Sequence, residues 1–324
     1  VLFFMFCSNC ILDVRIIGNH NKINISLLER LKEYDISKYE RPSVTTDMTI
    51  FSIMKDGERD NFRKLPQTAL KLLLIKRATY PFKDSWALPG GFCRPNEDVY
   101  ETAKRKLFEE TDVKDAYLNL AGVFGDVDRD PRGWIVSNTF LALVDGEKCE
   151  LHPGTDVREA KWFSVSLKEV GTKKEVCEDA VRLETQYELS LVCEDADVNL
   201  CAKIKEYKEF AGYHEAVRYE VLECENIAFD HAKLILYSLL HLRKSVENDF
   251  KTGFDLMPDT FTLTQLQTAF ELILDRKLLA ANFRRKVNDF VIETDQTIEG
   301  VSLSTGHHDT YGPFRHNGVT YQSA

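Results

Sequence analysis

The chain has 324 residues, 44% of them hydrophobic and 29% charged, and a formal net charge of −10. That length accommodates two domains with cores of their own, and the acidic balance excludes bulk electrostatic attraction to nucleic acid, so any such contact needs a local basic surface. The opening VLFFMFCSNCIL is too short to cross a bilayer. It lacks the basic region and small-residue cleavage site of a signal peptide, and reads as a strand or as an extension from a misplaced start codon. The eight cysteines are irregularly spaced and Cys7-x-x-Cys10 has no second pair, so reduced thiols in a cytoplasmic protein are expected, not zinc or disulfides.

In chain order, Ser26 to Tyr34 is expected as a short helix and Ser43 to Phe51, rich in β-branched residues, as a strand. A polar loop from Lys55 to Lys64 leads to a buried strand, Ala69 to Ile75, which Lys76-Arg77 close. Leu118 to Phe124 and Ile135 to Val144 are further strands, joined by Asp126-Val127-Asp128-Arg129-Asp130-Pro131-Arg132-Gly133-Trp134. Two accounts fit that loop: a turn set by Pro131 and Gly133, or a ligand loop whose arginines meet phosphate while Trp134 or Trp86 offers a stacking face.

Trp86 to Val113 reads WALPGGFCRPNEDVYETAKRKLFEETDV, a double glycine after an apolar strand and then an acidic amphipathic helix. Counted from Gly91 the order is Gly, five residues, Glu97, seven residues, Arg105, Lys106, Leu107, any, Glu109, Glu110, any, Asp112, Val113. An adjacent glutamate pair is most often a solvated helix face, but the complete spacing after Pro89-Gly90-Gly91 argues for more. It resembles the Nudix box, G-x5-E-x7-R-E-U-x-E-E-x-G-U, and departs from it where Lys106 replaces Glu and Asp112 replaces Gly. Residues three and four apart share a helix face, and in the family three carboxylates there hold Mg²⁺ against phosphates and activate a water. Lys106 removes one ligand and is expected to pair with Glu110 at i,i+4. The resemblance therefore leaves Glu109 and Glu110 as the residual catalytic and metal-binding pair, implies that Mg²⁺ is not required, and implies hydrolase activity that is weak or absent. The DRDPRGW run is similar to the ADP-ribose-handling branch of the same family. The implied ligand set is Arg77, Trp86, Arg105, Arg129, Arg132 and Trp134.

Ala160-Lys161-Trp162-Phe163 resembles the late strand of a Nudix domain, and residues 171–225 are expected to be a small inserted subdomain, β-rich from alternations such as Tyr187 to Val192 and Ala216 to Val221. Ile227 to His231 then open a helix in which Leu236, Leu239, Leu240 and Val246 keep the helical period. His231 is expected as a helix-start or packing residue. Thr262 with Gln265 forms a capping box, and Leu263, Leu266, Phe270 and Ile273 give the helix behind it an apolar face. A next helix carries Ala281-Asn282-Phe283-Arg284-Arg285-Lys286-Val287, with Phe283, Val287 and Phe290 on one side. Asn317-Gly318 signals a hairpin in the tail.

Helix, helix, basic helix and hairpin follow the order of a winged helix, in which Arg284, Arg285 and Lys286 would contact DNA and Asn282 could read adenine. A solvated helix face or a dimerisation module has the same local pattern. F-x-L-x-x-L-Q-x-x-x-E-x-I-L followed by N-F-R-R-K, downstream of an altered Nudix box, resembles the Nudix-related transcriptional regulators. The resemblance implies a Nudix α/β/α sandwich with an inserted subdomain and a C-terminal winged helix-turn-helix. The expected segments are an extension at 1–40, the Nudix-like domain at 41–170, the insertion at 171–225 and the winged helix at 226–324. It implies a metabolite-responsive regulator binding ADP-ribose or a related nucleotide or sugar effector and operator DNA, acting as a homodimer with no membrane partner. The alternative is a Mg²⁺-dependent ADP-ribose pyrophosphatase with an accessory C-terminal domain.

Overall fold

The computed structural model describes residues 34–56, 68–114, 116–152, 154, 157–258, 261–298 and 308–313, with side chains up to residue 292. The chain divides into two compact units, Val1–Arg41 and Pro42–Ala324. In the first, Asp35 accepts from Ser37 N at 3.0 Å and caps a 3-10 turn, Ile36–Lys38. The helix expected from Ser26, the apolar opening and the Cys7–Cys10 pair lie outside the described residues.

The second unit is built on one sheet. Its strands are Ser43–Lys55 (β1), Thr68–Arg77 (β2), Trp86–Ala87 (β3), Gly90–Phe92 (β4), Tyr117–Phe124 (β5), Ile135–Leu143 (β6), Val157–Val176 (β7), Val181–Cys193 (β8), Val198–Ala211 (β9) and His214–Cys224 (β10). They run in the order β10-β9-β8-β7-β2-β1-β6-β5, with β3 on β2 and β4 on β1. The β1 strand pairs in parallel with β6 and antiparallel with β2, and its middle, Thr45–Ser52, is buried throughout, as a central strand covered on both faces must be. Met48, Ile50, Leu73 and Phe140 face the helix Val99–Thr111 (α1), which contributes Ala103 and Leu107. On the opposite face Phe51, Leu72, Leu74, Trp86 and Phe163 pack with the helix His231–Asn248 (α2). This is the expected α/β/α sandwich.

The segment 171–225 is not a subdomain of its own. The β7 strand runs through residue 171 with a register shift between Glu169 and Gly171, and β8, β9 and β10 continue the same sheet as an antiparallel meander. A glycine inside a strand often marks such a bulge, and here the bulge carries the strand past the expected boundary. Leu189, Leu191, Leu200 and Ile204 join the core beneath α2. A buried carboxylate, Glu206, accepts from Tyr219 Oη at 2.9 Å and pairs with Lys208 at 2.9 Å. The expected boundary at 226 also moves: α2 contacts β5, β6, β9 and β10 and completes the sandwich rather than opening a separate domain.

Beyond α2, a 3-10 stretch (Phe250–Leu256) leads to the helices Leu263–Leu274 (α3) and Ala280–Val287 (α4) and to a hairpin of Val291–Ile298 (β11) with His308–Pro313 (β12). The expected capping box is present: Thr262 Oγ1 accepts from Gln265 N at 3.1 Å and Gln265 Oε1 from Thr262 N at 2.8 Å. Phe270 is the hub of this half, with its ring centroid 4.5 Å from that of Phe250 and 5.3 Å from that of Phe283. Phe283 and Val287 are the buried face of α4, and Phe290 is half-buried. The hairpin lies earlier than the Asn317-Gly318 signal, which falls outside the described residues. Thr262→Ala, which removes the cap acceptor, is expected to lower stability by about 1 kcal/mol, read as a shift of the urea midpoint with unchanged slope; an unmoved midpoint would show the cap to be redundant.

Candidate effector pocket and nucleic-acid interface

The box helix α1 is fixed at both ends. Asp98 and Glu101 form a reciprocal capping box, and Asp112 takes the left-handed conformation (φ 55°) at the C-cap. Glycine is the default there, and aspartate is among the few residues that tolerate it, so the second departure from the Nudix pattern leaves the backbone intact. Gly90 and Gly91 answer to close approach: a Cβ on Gly90 would lie 2.6 Å from Asp47 Oδ1, and one on Gly91 would lie 3.3 Å from Lys106 Cδ.

The first departure has a chemical consequence. Lys106 Nζ lies 3.0 Å from Glu109 Oε2 and 3.4 Å from Glu110 Oε1. Glu97 is held by Arg105 through two contacts of 2.8 Å, and Arg105 also reaches Glu109 at 3.2 Å and the Phe92 carbonyl at 3.4 Å. Each of these three glutamates therefore already faces a cation. Glu110 is 2% exposed and its Oε2 has no hydrogen-bond partner. Burial pushes its carboxyl above the ordinary 4.5, partly opposed by the Lys106 charge. These donors do not fit Mg²⁺: an ammonium lies where the ion would have to sit, and Arg105 shares Glu109 as a fixed partner. Arg105, expected in the ligand set, is tied here into the ion pairs of the box.

The loop from Asp126 to Trp134 places its two arginines differently. Arg132 is clamped by Asp130 (Nε–Oδ1 2.9 Å, Nη2–Oδ2 2.6 Å), and its guanidinium lies 5.2 Å from the ring centroids of both Phe92 and Phe229. Arg77 covers Phe229 at 5.0 Å and donates to the Pro81 carbonyl at 2.8 Å. The result is a ladder of alternating aromatic and guanidinium groups. Trp134 stands 58% exposed at the loop's end. Arg129, whose side chain is 4% exposed, turns inward, donating to Asp230 at 2.8 and 3.0 Å and lying 3.6 Å from Asp47. Expected as a phosphate ligand, it is an internal tie.

Trp86, expected as a stacking face, is 1% exposed, edge-on to Phe163 at 4.8 Å; it is a core residue because β7 closes over it. His231 is buried, its Nδ1 accepts from Leu88 N at 2.9 Å, and burial lowers its pKa, so it acts as a packing and tethering residue. Phe92, Phe229, Asp47 and Asp230 escaped the sequence reading. The one available signal was Phe229-Asp230-His231 just ahead of a helix, and nothing in it pointed to the loop a hundred residues earlier.

In the C-terminal half Asn282, Arg284, Arg285 and Lys286 are all exposed on α4, opposite buried Phe283 and Val287. The turn before α4 is clamped by Glu271, which accepts from Leu278 N at 3.0 Å, Gln267 Nε2 at 2.9 Å and Lys277 Nζ at 2.8 Å. This arrangement holds a short basic helix out to solvent at a fixed angle.

Residues 65–175 match the NUDIX domain family and residues 253–303 the NrtR DNA-binding winged helix domain. The chain belongs to the family of Nudix-related transcriptional regulators. A relative in this family, the ADPR responsive transcriptional repressor NtrR of Acinetobacter baylyi, is 29% identical over 82% of this chain and 81% of its own length. The ADP-ribose pyrophosphatase of Methanocaldococcus jannaschii is 38% identical over 42% of this chain and 72% of its own. Among solved structures, that of Shewanella oneidensis NrtR aligns with a TM-score of 0.53 at 25% identity, over 83% of this chain and 93% of that one. The winged-helix match starts after α2, in keeping with a regulator whose α2 completes the sandwich.

Glu110 supplies a pH test. Its folded pKa lies above the ordinary 4.5, so the unfolded chain ionises first as pH rises, and its contribution to stability is present below 4.5 and lost between there and the raised value. Glu110→Gln cannot titrate. Its stability relative to the parent is expected to improve as pH climbs through that window, and a pH-independent difference in denaturant midpoint would contradict this.

Proposed function

We propose that the protein is a transcriptional regulator that binds ADP-ribose, or a related nucleotide or sugar effector, without hydrolysing it, and grips operator DNA through α4. The observation that carries this reading is the ammonium of Lys106 set among the acids of the Nudix box, in the same chain as an exposed basic helix on a winged-helix scaffold. Sensing needs occupancy without turnover. Hydrolysis by this family's route needs a carboxylate-bound metal, and a bound diphosphate requires neutralisation from some source. Here the positive charge is built into the protein. It has no open coordination position to polarise a phosphate or activate a water.

The aromatic–guanidinium ladder supports the effector half of the proposal. Arg132 offers a partly exposed guanidinium, oriented by its clamp on Asp130, for phosphate oxygens, and Phe92 and Trp134 offer faces for a base. Asn282, Arg284, Arg285 and Lys286 support the DNA half, by phosphate contacts and base-edge reading in the major groove. A homodimer in the cytoplasm completes the proposal, since a two-fold protein reads paired half-sites.

In a gel-shift titration on DNA from the chain's own upstream region, the double variant Arg284→Ala/Arg285→Ala is expected to lose roughly tenfold or more in affinity, at about 1–3 kcal/mol per base-reading arginine. Equal shifts by parent and variant at modest salt would remove α4 from the interface. With ADP-ribose and Mg²⁺, release of AMP and ribose 5-phosphate is expected to be negligible in the parent and partly gained in Lys106→Glu. Brisk parental turnover abolished by Glu110→Gln would replace the regulator with the pyrophosphatase reading.

A further inference from the structure

The segment Asn226–Lys233 is bound to the pocket at every step. Trp86 N donates to the Asn226 carbonyl at 3.0 Å and Ala228 N to the Trp86 carbonyl at 2.7 Å. Phe229 adopts a left-handed backbone (φ 54°), which a bulky residue adopts only when its surroundings impose it, and its ring is wedged against Phe82, Arg77 and Arg132. Asp230, next in sequence, takes both prongs of Arg129 and lies 3.3 Å from Lys233, which also pairs with Asp126 at the start of the loop. The start and the middle of the Asp126–Trp134 loop are thus pinned to the first turn of α2 by charge.

From there a continuous set of contacts leads away from the pocket. Arg243, near the other end of α2, donates to the Ile273 carbonyl at 3.0 Å and to Asp275 at 3.4 Å. Glu247 pairs with Arg276 at 2.7 Å. Both reach the C-terminal end of α3, where Glu271 holds the turn into α4.

We propose that the Arg129–Asp230 pair transmits effector occupancy to the DNA-reading helix. This rests on the regulator reading above. An effector engaging Arg132 or stacking near Phe229 acts on residues adjacent to both members of the pair. Arg132 is three residues from Arg129 in one tight loop, and Phe229 immediately precedes Asp230. Moving the Phe229 ring lets its left-handed backbone relax, which reorients Asp230 and breaks its guanidinium contact, leaving it with Lys233, already 3.3 Å away, and solvent. The first turn of α2 shifts with it, and the ties at Arg243 and Glu247 carry the shift to α3 and α4. Arg129 and Asp230 are positioning residues in this scheme; neither needs to touch the effector.

The test uses the full chain and measures operator affinity with and without saturating ADP-ribose, together with ADP-ribose affinity by calorimetry. The parent is expected to show a ratio of DNA affinities within the roughly 5–150-fold range usual for coupled sites. Asp230→Asn, which keeps the shape and removes the charge, is expected to bind ADP-ribose within threefold of the parent while its ratio collapses toward one. A merely structural role would lower DNA affinity equally in both conditions and leave the ratio alone. Should Asp230→Asn not fold, Arg129→Lys retains the charge, loses the fork, and is expected to give an intermediate ratio. A parental ratio well above one that is unchanged in the variant that folds overturns this inference alone. A parental ratio of one overturns the regulator reading and the inference with it.

Discussion

The site depends on one ammonium group. Lys106 Nζ is within 3.4 Å of both Glu109 and Glu110 and crosses the strand at Gly91, where no Cβ obstructs its stem. In a metal-dependent pocket the acids repel a diphosphate until cations arrive to neutralise them, so binding and activation come together. A lysine separates the two effects: it cancels the acids without becoming a Lewis acid. The arrangement is also self-locking, because removing one partner of a buried ion pair leaves a charge uncompensated, and Glu110 is the most deeply buried acid of the box. The helix and its caps keep the backbone of the box, and the change from the family pattern falls on one side chain.

The second constraint is that α2 serves two halves of the molecule. One side closes the sandwich over β5, β6, β9 and β10, and the other packs on α3 and the 3-10 stretch before it. A helix shared in this way cannot move relative to one half without working against the other. The Arg129–Asp230 contact sits at the end of α2 nearest the pocket and the Arg243 and Glu247 contacts at the end nearest α3. The meander β8–β10 gains a role from the same geometry, since it extends the sheet under α2 and supplies the apolar floor on which the helix rests.

Much of this was legible in the sequence, and the misses have physical reasons. The central strands, the Thr262–Gln265 box and the Lys106–Glu110 pair follow from local spacing, which a helix or strand turns directly into geometry. Trp86 was misjudged because its burial is decided by Phe163 on β7, far along the chain. Arg129 and Arg132 look alike on either side of Pro131, and only Asp230, 101 residues away, fixes which one points inward. The boundary expected at 171 rests on the segment that intervenes before the next helix, whereas β7 runs on through a bulge beside Gly171 to Val176. Alternation pointed to β-structure in 171–225 but not to the sheet it would join, because edge pairing is set by the neighbouring strand and not by the segment's own residues.

The charge of the whole chain bears on how small a signal the regulator needs. A net charge of −10 repels a duplex at long range and opposes non-specific binding, so under the proposed function operator contact would concentrate on the few cations of α4. In that reading the contact rests on a helix of eight residues, held mainly by Phe283, Val287 and the turn clamped at Glu271. Base-edge hydrogen bonds weaken steeply with misalignment. A modest rotation of α4 would therefore remove specific contacts, while the surrounding acids oppose any compensating non-specific hold. On the proposed route through α2, the acidic balance that opposes general DNA binding would also let a small displacement suffice to change operator affinity.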